Sequence, residues 1–235
     1  MLEGSNLLGI LRPKDRAALE PHVTECHFVA GESLYEPGDV VRYAFFPRHA
    51  ALAVFLVEME DGEVVETTMV GREGALGGIV SQGRIPAYAR SCVMHDGSFY
   101  RIASADLEKV KERSPQIRHL FARYADCMMA QVFQSVACNA SHSIEQRAAK
   151  WLSAAIDRTG EGEITMTQEQ LASMMGIGRS YASRVVQRFK GDGLVQTRRG
   201  GLRVLDQEGL RARACSCNDL VRRHFDTVLK GVYPD

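Results

Sequence analysis

Six polar side chains crowd the span from Arg179 to Arg188: Arg179, Ser180, Ser183, Arg184, Gln187 and Arg188, with Tyr181 among them. Ser180, Ser183, Arg184 and Gln187 are spaced i, i+3, i+4 and i+7, which puts them on one face of a helix. Guanidinium, amide and hydroxyl groups on one helical face suit the base edges of a DNA major groove, where Arg can hydrogen-bond in bidentate fashion to guanine. Between Gly176 and Val204 stand seven basic residues (Arg179, Arg184, Arg188, Lys190, Arg198, Arg199, Arg203) against one acid, Asp192, a local excess of +6. The whole chain is neutral, with 29 basic and 29 acidic residues, so this excess is a feature of one surface. A polyanion is the partner such a surface requires.

The residues around this face explain how it is held. Thr167 is a helix cap, and Gln170 three residues on can complete a capping box, with Met166 and Leu171 placed for a hydrophobic staple. Gly176 and Gly178 around Ile177 break that helix, because Gly tolerates the positive φ of a sharp turn. A second helix runs from Arg179 to about Lys190, with Ala182, Val185, Val186 and Phe189 forming its buried stripe. After the Asp192-Gly193 turn, Leu194 to Thr197 and Leu202 to Leu205 flank Arg198-Arg199-Gly200-Gly201 as two short strands, a wing whose arginines face phosphate. Residues 163–205 therefore read as a winged helix-turn-helix. The candidate DNA-contact set is Thr167, Arg179, Ser180, Tyr181, Ser183, Arg184, Gln187, Arg188, Arg198 and Arg199.

A chain of 235 residues with 45% hydrophobic content can bury a core large enough for two domains. No apolar run approaches the roughly 20 residues of a membrane span, and the N-terminus lacks the features of a signal peptide, so a cytoplasmic protein that keeps clear of membranes is expected. Cysteines stand at 26, 92, 127, 138, 215 and 217. Only Cys215 and Cys217 are close, and no pair of Cys-x-x-Cys motifs exists, so no metal site is predicted; these two read as small apolar groups on a terminal helix. His22, His27, His49, His95, His119, His142 and His224 form no spaced pair. Without a nucleophile–base pair, metal spacing or phosphate-binding loop, an enzyme is not expected.

Residues 7–20 read as helical. From His22 to Ile102 short β-branched or alternating runs are punctuated by turn signals, with Ala51–Met59 and Glu63–Val70 forming a hairpin about Asp61-Gly62. This regularity predicts a small antiparallel barrel or jelly roll. Ala103 to Glu112 begins a helical region broken at Pro115, and a long helix follows from Gln116 to about Asn139. It carries two adjacent stripes, which include Ile117, Leu120, Tyr124, Cys127, Met128 and Gln131. Two stripes exceed the needs of one intramolecular contact, so these six are assigned to a dimer seam; the alternative is a helix wholly buried in its own domain. Residues 139–143 make a polar hinge, with Ser143 capping the next helix. The expected organisation is an α+β chain of three parts: a β-domain over 1–112, a dimerisation helix over 113–140 and the winged domain over 141–235.

This order, together with Thr-Gln-Glu-Gln-Leu-Ala-Ser-Met-Met-Gly, Arg-Ser-Tyr-Ala-Ser-Arg and Thr-Arg-Arg-Gly-Gly-Leu-Arg-Val-Leu-Asp, resembles the Crp/Fnr superfamily of bacterial transcription regulators along nearly the whole chain. The resemblance implies a cyclic-nucleotide-binding-like β-barrel (jelly roll), a homodimer, an inverted-repeat site in double-stranded DNA and contact with RNA polymerase. It also implies that Arg179 and Arg184 approach bases. Ser180 replaces a Glu common in the family, so a different half-site is expected. In the sensing domain Gly77-Gly78-Ile79 stands where a ribose-binding Glu is expected, followed by Arg90-Ser91-Cys92 in place of the phosphate-holding segment. Gly77, Gly78, Arg90 and Ser91 are the candidate effector residues, and cyclic AMP is not the expected effector. Cys26 alone cannot hold the iron–sulfur cluster of oxygen-sensing members, and no haem ligands are placed, so the small-molecule effector stays unassigned. The competing reading is a cyclic-nucleotide- or small-molecule-binding signalling module without DNA binding.

Overall fold

The computed structural model describes residues 2–81, 83–164 and 166–233; Thr165, within the winged segment, lies outside them. Two short helices, α1 (Asn6–Gly9) and α2 (Pro13–Leu19), precede eight strands: β1 (Val23–Phe28), β2 (Ser33–Tyr35), β3 (Tyr43–Pro47), β4 (Leu52–Glu58), β5 (Val64–Val70), β6 (Leu76–Gly77), β7 (Arg90–His95) and β8 (Gly97–Ala103). They pair antiparallel into two four-stranded sheets, ordered β1-β8-β3-β6 and β2-β7-β4-β5. The sheets are stacked as a jelly roll and are not closed into one barrel. Between them pack Phe45, Ala53, Val70, Val93 and Phe99. The Phe28 ring meets Phe45 and Phe99 edge-on, at 5.8 and 5.5 Å. The expected hairpin is β4–β5, with a register shift between Phe55 and Leu56.

Helix α3 (Ser104–Arg113) ends before Pro115, and α4 (Pro115–Ser141) follows as a single 27-residue helix. Ser114 opens it, accepting the Ile117 amide at 3.2 Å and donating to Asp15 at 2.7 Å. Helix α5 (Ile144–Thr159) starts on a Ser143–Gln146 capping box. Beyond it come β9 (Glu163–Ile164), α6 (Gln168–Met175), α7 (Arg179–Gly191), β10 (Val195–Arg198), β11 (Gly201–Val204), α8 (Gln207–Arg213) and α9 (Cys217–Lys230). The last of these lies along α4.

That placement buries most of the expected dimer seam within the chain's own core. Ile117, Leu120, Tyr124 and Cys127 are each no more than 1% exposed, enclosed by their own chain. Phe225 and Leu229 of α9 join them in one core with Phe46 and Ile102 of the jelly roll. The Tyr124 hydroxyl donates to the Ala75 carbonyl at 3.2 Å, and its ring meets Phe225 edge-on at 6.2 Å. Gln131 is buried and donates to the Met69 carbonyl at 3.0 Å. Met128 is half-buried between two cores. The stripe α4 leaves uncovered is a different one: Met129, Val132, Phe133 and Val136, at 54, 41, 66 and 65% exposure. The assigned stripe serves folding, because the chain returns in α9 to cover it.

Candidate nucleic-acid interface and sensor pocket

The helix-turn-helix is built by local rules. Thr167 accepts the Gln170 amide at 3.1 Å while the Gln170 side chain accepts the Thr167 amide at 2.7 Å, so α6 opens on a reciprocal cap. It closes on Gly176 at φ 61° and ψ 46°, a left-handed conformation that costs a side-chain-bearing residue energy. The buried guanidinium of Arg147, on α5, donates to the Met175 carbonyl at 2.8 Å and so ties the end of α6 to the helix behind it. Ala182, Val185, Val186 and Phe189 bury the inner face of α7 at 0–3% exposure. They share a core with Trp151, Leu152, Leu171 and Leu202.

The outer face of α7 points to solvent. Arg179, Ser180, Tyr181, Arg184, Gln187 and Arg188 are exposed and Ser183 is half-buried. The Arg184 guanidinium lies 5.0 Å from the Tyr181 ring centroid, a cation–π contact that restrains its long side chain. Arg188 is engaged by Glu145 at the start of α5. In the wing, β10 and β11 pair from Val195↔Val204 to Arg198↔Gly201, β9 adds a third strand, and exposed Arg198 and Arg199 stand at the tip. Among the described residues no carboxylate pairs with Arg179, Arg184, Arg198 or Arg199. Thr167 is exposed at the mouth of α6 and is occupied as its cap.

The jelly roll is arranged differently. A cavity of about 390 Å³ opens among Tyr35, Phe55, Gly77, Gly78, Ile79, Ala87 and Ser91. Register sets which side chains reach it: Phe55 pairs with Ser91 and Leu56 with Arg90, so Ser91 faces inward with Phe55. Arg90 is not among the lining residues. Its Nε donates to Glu36 at 2.7 Å on the outer side, so of the four candidate effector residues it alone is excluded from the cavity. Hydrogen bonds from Ser33 and then Arg90 hold the Glu36 pKa below its ordinary value, and the bond to Glu36 holds the Arg90 pKa above its own. Ser91 is fully buried and, among the described residues, its hydroxyl has no hydrogen-bond partner. Gly77 has a structural reason to be glycine: at φ 97° a Cβ would lie 2.2 Å from the Tyr43 carbonyl oxygen. Glu73, the nearest acid in the sequence to the missing ribose ligand, is held by Arg158 of α5 at 2.6 Å.

A second contact joins the domains. The Trp151 indole N–H of α5 donates to both carboxylate oxygens of Glu66 on β5, at 2.8 and 2.9 Å. Burial pushes the Glu66 carboxyl up to about 7, against the pull of that hydrogen bond and of Lys150 and Arg158. Neither this pair nor Arg147 was visible in the sequence pattern. The structure also gathers Cys138, His142, Cys215 and Cys217, which the sequence reading left as unrelated residues.

Residues 146–213 match the family model of the Crp-like helix-turn-helix domain. No curated protein matches the chain in sequence. Among solved structures, FixK2 of Bradyrhizobium japonicum is similar over 82% of this chain and 98% of its own, with a TM-score of 0.68 at 13% identity. A Crp-family regulator from Thermus thermophilus is similar over 80% of this chain and 96% of its own, with a TM-score of 0.68 at 18% identity. The c-di-GMP-responsive global regulator CLP of Xanthomonas campestris is similar over 83% of this chain and all of its own, with a TM-score of 0.66 at 13% identity. The C-terminal segment is thus a Crp-like helix-turn-helix domain. The chain as a whole has the fold of the Crp/Fnr regulators: jelly roll, long helix and winged helix-turn-helix in that order.

Proposed function

We propose that this chain is a homodimeric transcription regulator that reads an inverted repeat in double-stranded DNA. The observation that carries the reading is the outer face of α7, where Arg179 and Arg184 stand exposed and unpaired by any described carboxylate while the opposite face is locked into the core. Base readout falls to Arg179, Ser180, Ser183, Arg184 and Gln187, and phosphate contact to Arg198 and Arg199 in the wing. Arg188 joins by releasing Glu145. The dimer forms through the exposed stripe Met129, Val132, Phe133 and Val136, whose i, i+3, i+4, i+7 spacing suits packing against the same stripe of a second copy. A two-fold axis there would present two recognition helices to successive major grooves, about 34–36 Å apart. Engagement of RNA polymerase belongs to the same reading.

The effector enters the jelly-roll cavity. Its described lining is apolar apart from hydroxyl and backbone groups, and it includes Ile79 but no Asp, Glu, Lys or Arg. An apolar metabolite with one hydrogen-bonding group, met by Ser91, fits this lining better than a cyclic nucleotide. The ribose hydroxyls and phosphate of a nucleotide would go unpaired at a cost of about 1–3 kcal/mol each. Fluorescence anisotropy with genomic fragments, in rising salt, tests the DNA reading: a discrete set of tightly bound fragments with a shared inverted repeat supports it. Indifferent weak binding to every fragment would leave the signalling-module reading standing. Titration calorimetry with cyclic AMP and cyclic GMP tests the pocket, where no heat at micromolar ligand is expected.

A further inference from the structure

Cys138 lies in the last turn of α4 and His142 is the residue that ends that helix. Cys215 and Cys217 flank Ser216 where the chain turns from α8 into α9. Separated by more than seventy residues in sequence, the two pairs converge: the three sulfurs and an imidazole nitrogen all lie within 4.8 Å of one another. Cys138 Sγ is 3.6 Å from Cys215 Sγ, and Cys217 Sγ is 3.6 Å from His142 Nδ1. All the cysteines are free, so no disulfide accounts for this approach.

The separations have a chemical meaning. A tetrahedral ion with Zn–S of about 2.3 Å and Zn–N of about 2.0–2.1 Å sets its ligand atoms roughly 3.3–3.8 Å apart. An iron–sulfur cluster distributes its ligands over several metal atoms and needs a wider spread. Three thiols and one imidazole fill every position of a tetrahedron, which describes a closed structural site and leaves no open coordination position for catalysis. Cys138, Cys215 and Cys217 are buried at 0, 9 and 2% exposure, so the site is enclosed.

The surroundings match. Gln134 Nε2 donates to Cys217 Sγ at 3.2 Å and Lys150 Nζ to Cys138 Sγ at 3.6 Å. Donors aimed at sulfur orient metal-bound thiolates and temper their charge. A divalent ion with three thiolates carries one net negative charge, and the Lys150 ammonium offsets it.

We propose that Cys138, His142, Cys215 and Cys217 form a tetrahedral binding site for a zinc-type divalent cation, which staples the α4–α5 hinge to the start of α9. Loading releases the thiol protons to solvent and involves no change of oxidation state. The staple lies where the winged domain is hung: Lys150 and Arg147 both belong to α5, and Arg147 holds the last carbonyl of α6. Loss of the ion would loosen the hinge that orients α7 and weaken DNA binding. That consequence rests on the proposed function; the metal site does not.

The test uses the full-length chain purified under reducing conditions without chelator. Elemental analysis is expected to find one zinc per chain. After the ion is removed, Co(II) is expected to give the thiolate charge-transfer and tetrahedral ligand-field absorption of a sulfur-rich site, displaced by Zn(II). C138S and C217S are expected to lose that spectrum and bind at least about tenfold more weakly, while C26S, on β1, keeps it. Circular dichroism establishes that the variants are folded, and the wild-type spectrum stands whether or not they are. Failure of reduced, folded wild type to take up Co(II) or Zn(II) overturns the proposal, as does a spectrum that survives in C138S and C217S. DNA binding measured with and without zinc then reads the hinge effect separately from the site.

Discussion

The outer face of α7 and the jelly-roll cavity treat their charges in opposite ways. On α7 and the wing, Arg179, Arg184, Arg198 and Arg199 stand in solvent without an ion-pair partner among the described residues. In the jelly roll the two charged side chains nearest the candidate effector segments are engaged: Arg90 by Glu36 and Glu73 by Arg158. Free guanidinium groups attract a polyanion at long range and pay little to exchange water for phosphate. Paired ones must first break a bond. The difference is that the DNA-facing surface keeps its guanidinium groups free, while the cavity is lined by apolar, hydroxyl and backbone groups, among them the unpartnered hydroxyl of Ser91.

The sharpest way to break that comparison is to test the proposed dimer by a substitution in its exposed stripe. Phe133→Glu would set like charges against each other at the seam, a loss on the order of 3–5 kcal/mol, so sedimentation should report a folded monomer without tight operator binding. Leu120→Ala, by contrast, should cost about 2–5 kcal/mol of folding stability in thermal melts and leave the association of surviving folded chains intact. A monomer from Leu120→Ala and a dimer from Phe133→Glu would return the seam to the buried stripe.

Smaller effects sharpen the same contrast. Arg184→Ala should lose about 1–3 kcal/mol on the cognate site with random DNA nearly unaffected. The carboxyl of Glu66 lies at about 7, raised from 4.5, so the folded state holds a proton that the unfolded state has released between those values. Stability contributed by this group is therefore full below about pH 4.5 and falls as pH rises toward 7. Glu66→Gln should flatten that loss, about 1–3 kcal/mol in chemical denaturation across the window. Arg199→Ala should weaken all sequences alike and lower the salt slope by about one.

The helix-turn-helix was legible because its signals are local. The Thr167 cap, the Gly176 turn and the stripe from Ala182 to Phe189 each act over fewer than ten residues. Which side of α4 stays uncovered was not, since α4 is apolar on more than one side and only the return of α9 decides which side is covered. The direction of Arg90 was hidden for a related reason: it follows from the pairing of β7 with β4, a long-range register. The cysteine–histidine cluster hid in two unremarkable fragments, Cys-x-x-x-His and Cys-x-Cys, that no short-range spacing rule joins. The jelly roll was visible in its turns, whereas its division into two sheets depends on pairings far apart in sequence.

Selection of binding sites from a pool of random duplexes by the wild-type protein, repeated with Arg184→Ala, tests the central claim most directly. The account predicts one enriched inverted repeat with half-sites about one helical turn apart, bound by a dimer, and loss of preference within each half-site in the variant. No enriched sequence, or the same motif enriched equally by Arg184→Ala, would contradict it.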